Sequence, residues 1–208
     1  MAITEEAIIS SSENDFDKKF NVAINKLFKI FAFIVSFGIP LIYVVFNFFK
    51  NTEYIVTIDY IIILMAYAFF TTLGINIGAV FQAINKTKYQ FITTLIGGII
   101  CVILSFALIK YIGIYAVLIS QFIGMLITFI SRYIFSRKYI KIQLDKKVIF
   151  FSLGMFALGS ISYFIKYNIF LLLLMLFIIT ILFIVFNKDL IISLINIFMR
   201  KLKKGRIN

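Results

Sequence analysis

Few residues of this chain are able to do chemistry, and most of them stand between long uncharged stretches. There is no histidine, and the one cysteine, Cys101, lies inside an apolar run, so a disulfide framework, a zinc cluster and a Cys/His nucleophile pair are excluded. Asp15-Phe-Asp17 matches the DxD form of metal-dependent sugar transferases, but no nucleotide-binding strand pattern surrounds it, and a solvated helix face accounts for it. Without histidine, a membrane hydrolase or acyltransferase lacks its usual general base. The chain is therefore expected not to be an enzyme, and it calls for no cofactor and no metal. What remains is uncharged and polar: Asn47, Tyr67, Asn76, Gln82, Asn85, Ser120, Gln121 and Thr128 either face a polar cavity or bond between helices. Asn76 and Gln82 stand out, because their 26-residue uncharged stretch has room for a polar end. Lys86 and Lys88, on a short loop, have the charge to meet a phosphate. The candidate substrate-binding set is Asn76, Gln82, Asn85, Lys86, Lys88 and Gln121.

The elements that must position these residues are long and apolar. Of 208 residues, 62% are hydrophobic and 14% charged, which is not the composition of a soluble domain. Uncharged stretches run over 30–49, 60–85, 89–109, 111–131, 148–165 and 167–187. About 20 apolar residues cross a ~30 Å hydrocarbon core, and a spanning segment must satisfy its own backbone hydrogen bonds. The expected fold is all-α, an integral membrane bundle of six transmembrane helices over 30–187. It is preceded by a polar arm at 1–29 and followed by a basic amphipathic tail at 188–208. The arm lacks the apolar core of a signal peptide.

The net charge of +12 first suggests nucleic acid, but its distribution removes that reading. In an even-numbered bundle, 18 of the 21 basic residues fall on one side and only Lys50, Lys110 and Lys166 on the other. The positive-inside rule then puts both termini in the cytoplasm, and no nucleic-acid partner is expected. On that side Asn85-Lys-Thr87, which fits a glycosylation sequon, means nothing. Tyr54, Tyr60, Tyr89, Tyr111, Tyr133 and Tyr167 sit near span ends, where amphipathic rings anchor at headgroup level. Beyond the last span, apolar residues 190–199 with Ser193, Asn196, Arg200 and Lys203 at helical spacing suggest a helix lying on anionic lipid.

Helices associate in lipid where small side chains let backbones approach. Ala116, Ser120, Gly124 and Thr128 recur every four residues in span four, Gly97, Cys101 and Ser105 do so in span three, and Gly74 with Gly78 forms a GxxxG in span two. Helix packing explains these stripes, with homodimerisation as the rival use. Lys110 followed by Gly113 predicts a tight outer hairpin, as does Lys166 with Asn168, and Pro40 is expected to kink span one. No ionisable side chain is expected deep within a span, which argues against proton relay.

The segments GAVFQAINKTK, 78–88, and IGGIICVILSFALIKYIGIYAVLIS, 96–120, resemble the C-terminal half of bacterial O-antigen and polysaccharide flippases of the multidrug, oligosaccharidyl-lipid and polysaccharide exporter superfamily. Gly113-Ile-Tyr-Ala116 stands where that family turns into its next helix, Arg132-Tyr133 ends that helix, and Pro40 follows an acidic and lysine-rich arm, SSENDFDKKF. Cys101, Ser105 and Lys110 depart from the family pattern. The resemblance implies a transporter of two pseudo-symmetric lobes around a cationic cavity, moving undecaprenyl-diphosphate-linked oligosaccharide across the bacterial inner membrane by alternating access. Six helices make one such lobe, so the resemblance also implies a missing N-terminal lobe, a second chain or a homodimer. Membrane lipids and the lipid-linked oligosaccharide are the other implied partners. Two rival functions are a drug or cation antiporter lobe, which the lack of buried acids disfavours, and a non-transporting scaffold that gathers glycan-synthesis enzymes through residues 132–147 and the tail.

Overall fold

The computed structural model describes residues 13–48 and 59–188, with side chains from Asp17 onward. The expected surface helix at 190–199, the anchor Tyr54 and Lys50 lie outside the described residues. Among those described the protein is all-helical: α1 (Glu13–Phe48), α2 (Ile61–Ala83), α3 (Thr87–Ile112), α4 (Ile114–Ser136), α5 (Lys146–Ile161) and α6 (Ile169–Phe186). All except α5 are long and apolar enough to cross a membrane. With 16 residues α5 spans about 24 Å at 1.5 Å per residue. Hydrogen bonds from Ser162, Tyr163, Phe164 and Ile165 to carbonyls three residues back carry its winding onward as tighter turns.

The first helix differs from the expected boundary. It begins at Glu13, inside the segment read as a polar arm, and runs unbroken through Pro40 for 36 residues, about 54 Å. That exceeds the ~30 Å hydrocarbon core, so its first turns stand beyond the membrane. They are not a free arm. Phe20, Ile24 and Phe28 recur every four residues and are buried against Ile140, Ile142 and Val148, with Leu73, Ile77 and Val80 of α2. The segment 140–145 alternates apolar and polar residues, as extended backbone with one buried face does. Its outer edge is held by α1: Asn21 donates to the Lys141 carbonyl (2.8 Å) and accepts from the Gln143 amide (2.7 Å), while Asn25 donates to the Gln143 carbonyl (3.0 Å) and accepts from the Asp145 amide (3.0 Å).

The helices form two groups of three. In one, α4 packs closely on both α2 and α3; in the other, α1 packs on α5 and α6; contacts between α1 and α2 join the groups. Small residues set the closest approaches. A Cβ at Gly124 would lie 2.8 Å from the Gly97 carbonyl oxygen and 2.9 Å from Cys101 Cβ, and a Cβ at Gly159 would lie 2.8 Å from the Ser36 carbonyl oxygen. Ala116, Ser120, Gly124 and Thr128 are all buried on one face of α4, and Ser105 of α3 is half-buried. One residue, Gly113, joins α3 to α4 at φ 54°, ψ −130°, a backbone conformation that favours glycine.

Candidate functional site

One end of the bundle carries the α2–α3 turn, the α4–α5 connection and the lysine-bearing start of α1; here it is called the basic end. Four residues before the last residue of α4, Arg132 turns inward and is 6% exposed. This corrects the span boundary expected at Ser131, beyond which Arg132 would fall in a loop, while Arg132 still lies one turn from the helix end rather than deep within a span. The α4 helix continues to Ser136, and Arg132 falls on the buried four-residue stripe that begins at Ala116. Gly74 and Gly78 leave room for it: a Cβ at Gly78 would stand 3.0 Å from the Arg132 Nη1, so the GxxxG of α2 packs against a guanidinium as well as against helix backbone.

The guanidinium donates from Nη1 to the Gly74 carbonyl (2.7 Å), from Nη2 to Thr94 Oγ1 (2.8 Å) and from Nε to Thr93 Oγ1 (3.4 Å). It thereby ties α2, α3 and α4 together through one side chain. Each partner is neutral, and among the described residues the ion pair found is Lys166 with Asp59, at the other end of the bundle. A cation costs about 2.5–3.5 kcal/mol at a helix centre on insertion scales and less near a helix end, where Arg132 lies, and hydrogen bonds to a charged group return about 1.5–3 kcal/mol each. Three such bonds are enough to hold Arg132 inside. Arginine has five N–H donors, and these bonds use three. Thr94, beside the outer edge of the guanidinium, is exposed, whereas Thr93 is buried. The site is thus a buried guanidinium held by neutral acceptors, with no carboxylate paired to it among the described residues.

The residues singled out from sequence lie around this site unevenly. Asn85 has φ 56° and closes α2: its amide donates to the Gln82 carbonyl (3.0 Å) and that of Lys86 to the Phe81 carbonyl (2.7 Å), the paired bonds of a left-handed helix cap. Asparagine at that place is thereby accounted for by the turn. Lys86 holds its Nζ 4.2 Å over the Tyr139 ring, and Tyr89 stacks obliquely on Tyr139 at 5.8 Å between centroids. The Tyr139 phenol is held below the usual tyrosine value, first by its hydrogen bond with Tyr89 and then by Lys86 and the charge of Lys138, against the upward pull of burial. Lys88 is exposed at the start of α3, and Gln82 is half-buried near the end of α2. Asn76 donates to the Thr72 carbonyl of its own helix (2.8 Å). Gln121 is exposed and lies 11 residues from Arg132 along α4, about 16 Å at helical rise, so it does not join the basic-end group. Sequence reasoning missed Arg132, Thr93 and Thr94, although the stripe 116, 120, 124, 128 extends by one more step of four to Arg132.

The opposite end is closed by a second polar group. Lys166, in the α5–α6 connection, pairs with Asp59 and sits 4.2 Å over the Tyr163 ring, while Asn47 of α1 donates to the Lys166 carbonyl (2.6 Å). Burial works to lower the Lys166 ammonium, but the hydrogen bond and charge of Asp59 outweigh it and raise it above the ordinary lysine value. Asn168 caps α6 by accepting from the Leu171 amide (3.2 Å).

Between the two helix groups lies an apolar cleft of about 360 Å³, walled by Phe28, Phe69, Phe70, Phe122, Phe129 and Phe156. Phe129 stands one turn from Arg132, so the aromatic space and the buried cation occupy neighbouring turns of α4. No family model matches the sequence, and no curated protein and no solved structure matches it either.

Proposed function

We propose that this chain is one lobe of a transporter for a lipid-linked, phosphate-bearing saccharide, working in a bacterial inner membrane with the basic end in the cytoplasm. The observation that carries the proposal is Arg132: a buried cation, hydrogen-bonded only to neutral groups, at one end of a helical bundle. Ionisable groups inside membrane bundles mark substrate or ion pathways more often than they serve packing alone. A diphosphate arriving from the cytoplasmic leaflet meets Lys86 and Lys88 on the surface, then the Nη2 edge of Arg132 beside Thr94. The aromatic cleft supplies apolar surface for a prenyl chain one turn away. The segments at 78–88 and 96–120 that resemble polysaccharide flippases include Lys86 and Lys88, and Thr93 and Thr94 lie between them. A second lobe, from another chain or from a second copy, completes the cavity in this reading.

The test is complementation in cells lacking the chain, with surface glycan and lipid-linked saccharide both measured. Arg132→Leu is expected to lower surface glycan at least about tenfold, the equivalent of one lost charge-assisted hydrogen bond, with lipid-linked saccharide accumulating and the membrane level of the protein unchanged. Arg132→Lys keeps the charge but loses the guanidinium fork, and is expected to restore part of the flux. Normal surface glycan from Arg132→Leu at normal protein level would overturn the assignment.

A further inference from the structure

Although α5 and α6 follow one another in the chain, they meet along little of their length, because each leans instead on α1. A groove of about 880 Å³ is left between them on the outer surface. Its walls are Phe150, Phe151, Met155 and Leu158 of α5 with Leu182 and Phe186 of α6, and the Phe151 and Phe186 rings meet across it at 5.8 Å. Gly154 opens its middle, since a Cβ there would find nothing within 4 Å. The groove begins at the basic end with Lys146 and Lys147, both exposed. From Lys146 to Leu158 the helix rises about 18 Å, close to the ~15 Å depth of one leaflet's hydrocarbon.

Cations outnumber acids around the mouth: among the described residues the adjacent acid is Asp145, which caps α5, its Oδ1 accepting from the Lys147 amide (2.9 Å). On the other flank of α5, Lys26 and Lys29 of α1 line a polar hollow of about 560 Å³ with Asn21, Asn25 and Asp145, so its lysines also outnumber its acid. A leaflet-deep apolar groove under a pair of lysines complements a molecule with an anionic head and a hydrocarbon chain.

We propose that the groove between α5 and α6 seats one anionic phospholipid of the leaflet at the basic end, its acyl chain between the two helices and its phosphate against Lys146 and Lys147. The site stands apart from Arg132 and does not depend on what the chain transports. A zwitterionic lipid carries its own ammonium and gains less from the lysine pair, so the seat discriminates by headgroup charge.

The full-length chain, reconstituted with equal phosphatidylglycerol and phosphatidylcholine and then released for native mass spectrometry, reports which lipids stay bound. Wild type is expected to retain phosphatidylglycerol over phosphatidylcholine on the order of tenfold, the scale expected of two lysines near an anionic surface. The pair Lys146→Gln, Lys147→Gln should bring that ratio close to one. Gly154→Leu, whose Cβ meets nothing within 4 Å, puts a side chain into the groove and should lower retention of phosphatidylglycerol, with thermal stability of both variants unchanged. Equal retention of the two lipids by wild type, or undiminished phosphatidylglycerol in both variants, would overturn the proposal. So would displacement by an equimolar prenyl phosphate, or stronger lipid binding once residues 189–208 are removed, because each identifies another occupant.

Discussion

Arg132 and the small residues around it show how little tolerance the helix contacts have. At Gly97 an added Cβ would land on Thr128 Oγ1 and lie 2.5 Å from the Gly124 carbonyl oxygen, while at the adjacent Gly98 it would meet nothing within 4 Å. Gly97→Ala is therefore expected to destabilise the protein by about 1–3 kcal/mol, as overpacking does, and Gly98→Ala to leave it unchanged or slightly better. Thermal unfolding in detergent, read side by side for the two variants, checks this; equal melting would contradict the contact. Lys166 makes a prediction of opposite type. Its folded value is raised, so the stability that it contributes is present below the ordinary lysine value of 10.5 and is lost as pH rises through the higher folded value. Asp59 is 41% exposed, which limits the pair to about 0–1 kcal/mol. Between neutral pH and pH values beyond 10.5, Lys166→Gln should lose less melting temperature than wild type.

At the scale of elements, the extension of α1 beyond the membrane is held by a ladder of asparagines. Asn21 and Asn25 stand four apart on α1 and meet alternate residues of the extended segment 140–145. Asparagine suits this position because one side chain offers both a donor and an acceptor, matching the carbonyl and amide that an extended strand presents. Aspartate accepts but cannot donate. The double variant Asn21→Ala, Asn25→Ala removes four hydrogen bonds, each worth about 0.5–1.5 kcal/mol net before exposure is discounted. Trypsin cleavage after Lys141 should rise several-fold in that variant, while cleavage in the α2–α3 turn stays constant. Unchanged cleavage after Lys141 would mean that burial of Ile140 and Ile142 holds the segment by itself. The same alternation of apolar and polar residues that makes 140–145 extended places Val148 and α5 against α1.

At the scale of the whole molecule, the described residues form two three-helix groups joined mainly through α1 and α2, with an aromatic cleft between them. The sidedness expected from the distribution of lysine and arginine is tested directly by single-cysteine labelling. In a Cys101→Ser background, Lys110→Cys is expected to react with a membrane-impermeant maleimide in intact cells, and Lys138→Cys only in inverted vesicles. The reverse pattern would invert the topology and with it the cytoplasmic placing of Arg132.

The hydropathy of the chain alone determined that it is a membrane bundle of helices, because twenty-residue apolar runs have no other stable form in lipid. The four-residue stripes of α3 and α4 were readable for the same reason: a helix repeats its faces at intervals of three and four whatever packs against it. Two things needed tertiary structure. The first was the fate of residues 13–29, whose lysines and acids mark them as polar although Phe20, Ile24 and Phe28 share one buried face; that face is useful only because 140–148 folds back to cover it. The second was Arg132, which any reading from charge to charge assigns to a loop. Whether a long cationic side chain near a helix end reaches for water or turns inward depends on the space and acceptors beside it, and Gly74, Gly78, Thr93 and Thr94 come from two other helices. Only the packing of α2 and α3 on α4 brings those groups together.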